Sequence, residues 1–367
     1  MSDVLYVSKA VEPPWNDSSK NLVRDVAWGL TRYRPILMVG DEAAAVPSGG
    51  RAEPIYHKVA GAFAPGLSTQ LRVMRRLVFG SRVPLWHFFF APNRKSSMAA
   101  RYAAMLRGTP TVQTVCSAPH EDADIRSLLF ADRTVVLSEH TRRRFVSAGV
   151  PAEQLAVIPP GIEPLNPLGA EAKRIVRESF GIPTDHSIVL YPGDLEFGGG
   201  AQVVTRLVAD LPAATSLVMA CRAKTALAVQ AEQELKAGLR ERGLEDRVFW
   251  IGETPKIHDL VSAADIVVLP TESLFAKMDY PLVLLEAMSA GVPVVVSEGT
   301  AAAELAQYGA VVCPCESTAL LDALSGLIDD PSERTHRGLK GAEAVRDVFG
   351  RAALASAYER LYDDILR

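Results

Sequence analysis

The chain has 367 residues, 48% of them hydrophobic and 22% charged, with a net charge of -4. That length fits two domains, each large enough to bury a core. The composition excludes a disordered or disulfide-stapled chain, and no run of about 18 apolar residues offers a membrane span. Short apolar runs alternate with helical patterns from end to end. In the first half strands are expected at residues 4–8, 35–39, 55–59, 84–90, 111–115 and 134–137, with helices at 18–33, 67–78, 94–107 and 140–148. In the second half strands are expected at 187–191, 216–220, 248–251, 266–269, 292–296 and 310–312, again with helices between them. Val/Ile/Leu strands separated by helices predict parallel sheets covered on both faces, hence two doubly wound α/β domains. The proline-rich "VIPPGIEPLNPLG" at 157–169 reads as the interdomain linker.

Charge is uneven. Residues 1–165 hold 20 Lys and Arg against 14 Asp and Glu, while residues 166–367 hold 19 against 29. A basic first half can attract an anionic substrate or a membrane surface, although uneven surface decoration is the plainer account. Cys116, Cys221, Cys313 and Cys315 have no zinc-site spacing and read as buried thiols in a reducing compartment. The N-terminus lacks a basic segment followed by an apolar one, so a cytoplasmic protein is expected.

In open α/β sheets ligands bind beyond the carboxyl ends of the strands, so the loops there hold the candidates. "PGDLEFGGGAQVV" follows strand 187–191, and Gly198, Gly199 and Gly200 precede a helix, where backbone N–H groups suit phosphate; a plain glycine turn is the alternative. Arg222 and Lys224 follow the next strand and can reach an anion or decorate a loop. In "DYPLVLLEAMSAGVPVVVSEG" (279–299) Glu286 is a solitary carboxylate among apolar residues. An unpaired carboxylate in a dry interior is costly, so the site is wet or something polar meets Glu286 there. His87 reads as a satisfied strand histidine, and one of Asn16, Asp17 or Ser18 as the cap of the first helix. Segment 70–82 mixes Arg with apolar residues and suits an anionic membrane or, preferably, a surface helix facing its own core.

"PLVLLEAMSAGVPVV", "LSEHTRRRFVSAGVPAEQLAVIPPGIE", "VFWIG" and "LVSAADIVVLP" together resemble the retaining GT-B glycosyltransferases of family four (glycosyl transferases group 1) over most of residues 133–315. The resemblance implies two Rossmann-like domains facing across a cleft, a nucleoside-diphosphate sugar as donor, a hydroxyl acceptor (a sugar, a lipid-linked or a small molecule), transfer with retention and no metal. Domains are expected at 1–160 and 161–349, with a terminal helix at 350–367 crossing back to the first. By the same resemblance Glu286 accepts hydrogen bonds from the nucleotide ribose, and Gly252, Glu253 and Thr254 border the base. Pro281 and Leu282, at the start of the Glu286 helix, join the donor-binding set with Gly198, Gly199, Gly200 and Lys224. The family's Arg and Lys clamp on the donor diphosphate is missing: Asp194 stands at the arginine position. Lys277 and Arg222 are the expected substitutes, and His120 is a candidate near the reacting sugar. No nucleic-acid partner is expected, and peripheral contact with a membrane is compatible with the reading. The missing clamp leaves two alternatives open: a catalytically inactive relative serving as partner or scaffold, and a nucleotide-sugar 2-epimerase, against which the family-four hinge and "LLEAM" wording argue.

Overall fold

The computed structural model describes residues 1–40, 45–56, 66–90, 93–117, 119–120, 123–223, 225–273, 275 and 277–367. The chain forms two compact units, one of Met1–Glu163, Phe275–Tyr280 and Val348–Arg367, the other of Pro164–Leu274 and Pro281–Asp347.

The first unit is built on strands β1 (Ser2–Val7), β2 (Tyr33–Val39), β3 (Arg51–Pro54), β4 (Leu85–Phe90), β5 (Thr111–Val115), β6 (Arg133–Val136) and β7 (Leu155–Val157). They form one parallel sheet in the order β3-β2-β1-β4-β5-β6-β7. One face packs Leu5, Ile36, Trp86 and Phe88 against Leu77, Ala100 and Ala103 of two helices, Leu67–Phe79 and Arg94–Arg107. Alternate residues point to the other face. There Tyr6, His87 and Thr114 meet the last helix, Arg351–Leu366.

That contact is polar and fully buried. The Tyr362 hydroxyl lies 3.1 Å from that of Tyr6 and 2.6 Å from Nδ1 of His87. Nε2 of His87 lies 2.8 Å from Thr114 Oγ1, which in turn lies 3.0 Å from the Tyr358 hydroxyl. The imidazole stacks on Phe89 with 3.7 Å between ring centroids. A buried polar group is tolerable when both its sides are satisfied, and both ring nitrogens of His87 are. The same helix lies close to helix Ser18–Gly29: a Cβ on Gly29 would approach that of Ala355 to 2.6 Å, so only glycine fits. Buried Asp25 is held there by Arg24 at 2.8 Å and by Arg351 at 3.1 Å.

The second unit repeats the plan with strands β8 (Ser187–Tyr191), β9 (Thr215–Met219), β10 (Val248–Trp250), β11 (Ile266–Leu269), β12 (Val294–Ser297) and β13 (Val311–Cys313). Their parallel order is β10-β9-β8-β11-β12-β13. Val189, Leu217, Val268 and Val295 join one core with helices Gly200–Leu207, Ala226–Glu241 and Ser317–Asp329. Ile188, Leu190, Val218 and Val267, which point the other way, are equally buried. The expectation of two doubly wound parallel sheets therefore holds.

Three local expectations are corrected. The strand beside β2 is Arg51–Pro54, an edge strand whose polar residues hide it from a search for apolar runs, and it ends before Ile55 and Tyr56; residues 57–59 of the strand expected at 55–59 lie outside the described residues. β7, absent from the expected strands, is three residues long and too short to stand out among the prolines around it. The helix expected at 18–33 stops at Gly29, because the Glu359 carboxylate takes the backbone N–H groups of Thr31 and Arg32, both at 2.6 Å, and β2 begins at Tyr33.

Burial holds the His87 pKa well below its ordinary 6.5, so the folded protein keeps this ring neutral where the unfolded chain would protonate it. The unfolded chain then binds the extra proton, and stability present above pH 6.5 is lost as pH falls from there toward the folded value. Urea unfolding should show this loss at up to about 1.4 kcal/mol per pH unit, and His87→Gln should remove that component. Identical pH slopes for the two proteins would show that His87 titrates alike in both states.

Candidate functional site

The switch in strand order of the second sheet falls between β8 and β11, where the chain leaves in opposite directions and opens a crevice at the strands' carboxyl ends. The loops after β8, β9, β10 and β11 bring most of the expected donor residues there.

The loop after β8 is folded by its own side chains. The buried Tyr191 hydroxyl donates to the Asp194 carbonyl at 2.8 Å. Asp194 Oδ1 accepts the N–H groups of Glu196 at 2.9 Å and Phe197 at 3.3 Å. The carboxylate at the expected arginine position is thus turned into its own loop, where it fixes a turn. Gly198 and Gly199 adopt φ of 77° and 68°, the left-handed region open to glycine, and Gly200 begins helix Gly200–Leu207. The N–H of Glu272 donates to the Gly198 carbonyl at 3.0 Å, tying the turn to the loop after β11. A Cβ on Gly200 would sit 2.1 Å from the Pro270 carbonyl oxygen and 2.8 Å from the Tyr191 hydroxyl. The glycine run therefore serves close approach as well as the turn. Thr225, which caps helix Ala226–Glu241, donates to Glu196 at 2.5 Å and joins the β8 and β9 loops.

Arg222 and Glu253 meet: Nη1 lies 3.1 Å from Oε1, and the guanidinium is the less exposed partner. Gly252 precedes this glutamate with φ of 68°, and Thr254 accepts the N–H of Lys256 at 3.1 Å. Lys224 lies outside the described residues.

Glu286 sits on helix Leu282–Ser289, with Pro281 as its N-cap residue and Leu282 buried in its first turn. The helix closes on Gly291, and the N–H of Val292 returns to the Ala287 carbonyl at 2.9 Å. The Glu286 side chain is mostly buried and is met by His258, whose Nε2 lies 3.2 Å from Oε1. His258, more than half exposed on helix Ile257–Ala263, is the polar partner that the apolar strip requires. Nothing local in the sequence singles it out, since the two residues lie on different helices. Among the described residues no three His, Cys, Asp or Glu side chains converge as a metal site.

His120 and Lys277 are placed in the first unit. His120 is exposed, edge-on to Phe275 at 5.3 Å between centroids. Its carbonyl accepts from Arg144 Nη2 at 2.6 Å, and the Pro119 carbonyl from Arg144 Nη1 at 3.0 Å, so Arg144 fixes this loop. Lys277 belongs to segment Phe275–Tyr280, which is anchored by buried Asp279 accepting from Ser138 at 2.6 Å and by Tyr280 packed edge-on to Phe349.

Residues 172–343 match the family described as glycosyl transferases group 1. Among curated proteins the chain is 32% identical over 127 residues to N-acetyl-alpha-D-glucosaminyl L-malate synthase of Bacillus anthracis, a match covering 34% of this chain and 32% of that protein. It is 29% identical over 224 residues to D-inositol 3-phosphate glycosyltransferase of Xylanimonas cellulosilytica, covering 58% of this chain and 52% of that protein. The matches thus span about half or less of the length of these relatives. Among solved structures, Anabaena HepE in complex with UDP-glucose superposes with a TM-score of 0.79 at 18% identity, over 99% of this chain and 100% of that one. Sucrose-phosphate synthase from Thermosynechococcus elongatus gives 0.79 at 18%, over 99% of each. At such identity the structural likeness establishes the fold, and with the group 1 domain at residues 172–343 it supports a GT-B glycosyltransferase.

Proposed function

We propose that the protein moves a sugar from a nucleoside-diphosphate sugar to a hydroxyl acceptor, with retention at the anomeric carbon and without a divalent cation. The observation that carries the reading is Glu286: a mostly buried carboxylate in an apolar helix of the group 1 domain, met by His258. In this reading Glu286 accepts the ribose hydroxyls, and residues Gly252, Glu253 and Thr254 border the base. The first-turn amides of helix Gly200–Leu207, with Gly198 and Gly199 before it, face the diphosphate, since a helix N-terminus favours negative charge. Arg222 adds a fork of N–H donors, steered by Glu253. In the reaction the bond from the anomeric carbon to the diphosphate oxygen breaks, and one to the acceptor oxygen forms. The acceptor hydroxyl approaches from the face the diphosphate leaves, and its proton passes to the departing diphosphate oxygen; charge grows there as the bond breaks, and positive groups lower the barrier. Asp194 poses no obstacle, because its carboxylate is engaged by the N–H groups of Glu196 and Phe197. HepE, solved with UDP-glucose, supports a nucleotide sugar as donor.

Calorimetry with UDP and GDP should show Glu286→Ala weakening nucleotide binding by about 1.5–3 kcal/mol, the scale of hydrogen bonds to a charged group. Unchanged affinity in a folded variant would take Glu286 out of the site. Arg222→Ala, and Lys277→Ala on the segment preceding the Glu286 helix, should each cut turnover at least about tenfold, near 1.4 kcal/mol of barrier, with a smaller effect on nucleoside binding. Turnover within about twofold for both would leave the diphosphate without these cations. Transfer should persist in chelator. Activity lost there and restored by Mg²⁺ or Mn²⁺ would overturn the metal-independent reading.

A further inference from the structure

From residue 54 to residue 120 the chain contains nine Lys and Arg and no Asp or Glu. The fold gathers much of this stretch into one surface of the first unit. Helices Leu67–Phe79 and Arg94–Arg107 lie side by side, with their small and aliphatic residues turned into the core beside Trp86 and Phe88. Their outer faces hold Leu71, Phe79, Met98, Tyr102, Met105 and Leu106, all between 58% and 80% exposed. Among these stand Arg72, Arg75, Arg94 and Lys95, with Arg82 just beyond; all are exposed and none makes an ion pair among the described residues. Other cations of the stretch are committed to the fold. Arg107 donates to the Val78 and Gly80 carbonyls, Arg101 to that of Leu129, and Arg76 to Glu53. An open cleft of about 390 Å³ runs beside the first helix, lined by Ile55, Arg72, Arg75, Arg76 and Phe79.

We propose that this face docks on an anionic lipid bilayer. A surface on which Glu53 is spent on Arg76 and Arg51 while Arg72, Arg75, Arg82, Arg94 and Lys95 stay exposed carries an excess of positive charge, and selects a negatively charged partner. A second copy of the chain meeting it by the same face would set like charges together. A nucleic acid would satisfy the cations but leave protruding Leu71, Phe79, Met98, Met105 and Leu106 wetted against phosphates, and wet apolar contact adds nothing to such binding. A bilayer surface takes both kinds of group: arginines reach the lipid phosphates while the apolar side chains enter the boundary of the acyl region. The cleft with Arg72 and Arg75 on its rim suits one phosphate headgroup. The proposal is independent of the donor site, since no residue of it belongs to the second unit.

The test is co-sedimentation of the full chain with phosphatidylcholine vesicles, with and without one third phosphatidylglycerol. Binding should require the anionic lipid and weaken as salt is added. Arg72→Glu with Arg75→Glu should lower the partition coefficient at least about tenfold. Phe79→Ser with Met105→Ser should lower it several-fold at unchanged charge, since each removes apolar surface from the acyl boundary. All four side chains are exposed, so circular dichroism should show native folding; Arg72→Gln with Arg75→Gln replaces the reversal pair if that pair melts early. Equal binding to both vesicles, binding to neither, or reversal variants that bind like the parent would overturn the proposal. A Phe79 and Met105 variant that binds unchanged, with duplex DNA displacing the vesicles, would overturn it in favour of a nucleic-acid surface.

Discussion

A line of buried hydroxyls and one imidazole, running through Tyr6, Tyr362, His87, Thr114 and Tyr358, holds the first unit together. It joins three adjacent strands to a helix that arrives more than two hundred residues later in the chain. A purely apolar seam would accept slippage of that helix by a fraction of a turn. This one does not, because a shift orphans a donor or acceptor in a place without water, where each loss costs about 1–3 kcal/mol. Asp25 with Arg24 and Arg351, and Glu359 with the amides of Thr31 and Arg32, repeat the same logic along the helix flank. Fixing the last helix also fixes Phe349 and, packed on it, the Tyr280 end of the segment that leads into the Glu286 helix.

In the second unit the candidate site is lined by loops whose described residues are tied together by internal hydrogen bonds. Asp194, Tyr191 and the three glycines shape the turn after β8 before any ligand is considered. Arg222 and Glu253 are aligned by each other, and Glu286 by His258. Such preorganisation lowers what a ligand must spend on ordering the groups that bind it.

The sheets were legible because their strands are buried on both faces. Continuous Val, Ile and Leu runs such as Ser187–Tyr191 and Ile266–Leu269 can be little else once helices alternate with them. β3 was not legible, because an edge strand needs no apolar run, and the end of helix Ser18–Gly29 was not, because its terminator, Glu359, lies far off in sequence. At the site the solitary Glu286 advertised itself, whereas His258 did not: an exposed histidine on a short helix acquires meaning only from what stands opposite. Arg144 stands in a run of three arginines, and nothing in that run tells which guanidinium meets the carbonyls of Pro119 and His120. His87 was read from sequence as a satisfied strand histidine, and both its ring nitrogens are engaged.

The place of the last helix bears on how the protein is made. Synthesis runs from the amino end, so residues 1–163 emerge from the ribosome with His87 and Tyr6 facing a gap that Tyr358 and Tyr362 fill only after residues 164–347 have been translated. The second unit, whose sheet closes within its own stretch, can mature while the nascent first unit waits for its final side chains. Loss of Val348–Arg367 would therefore damage the unit that Met1–Glu163 build, although nearly two hundred residues of chain separate the two.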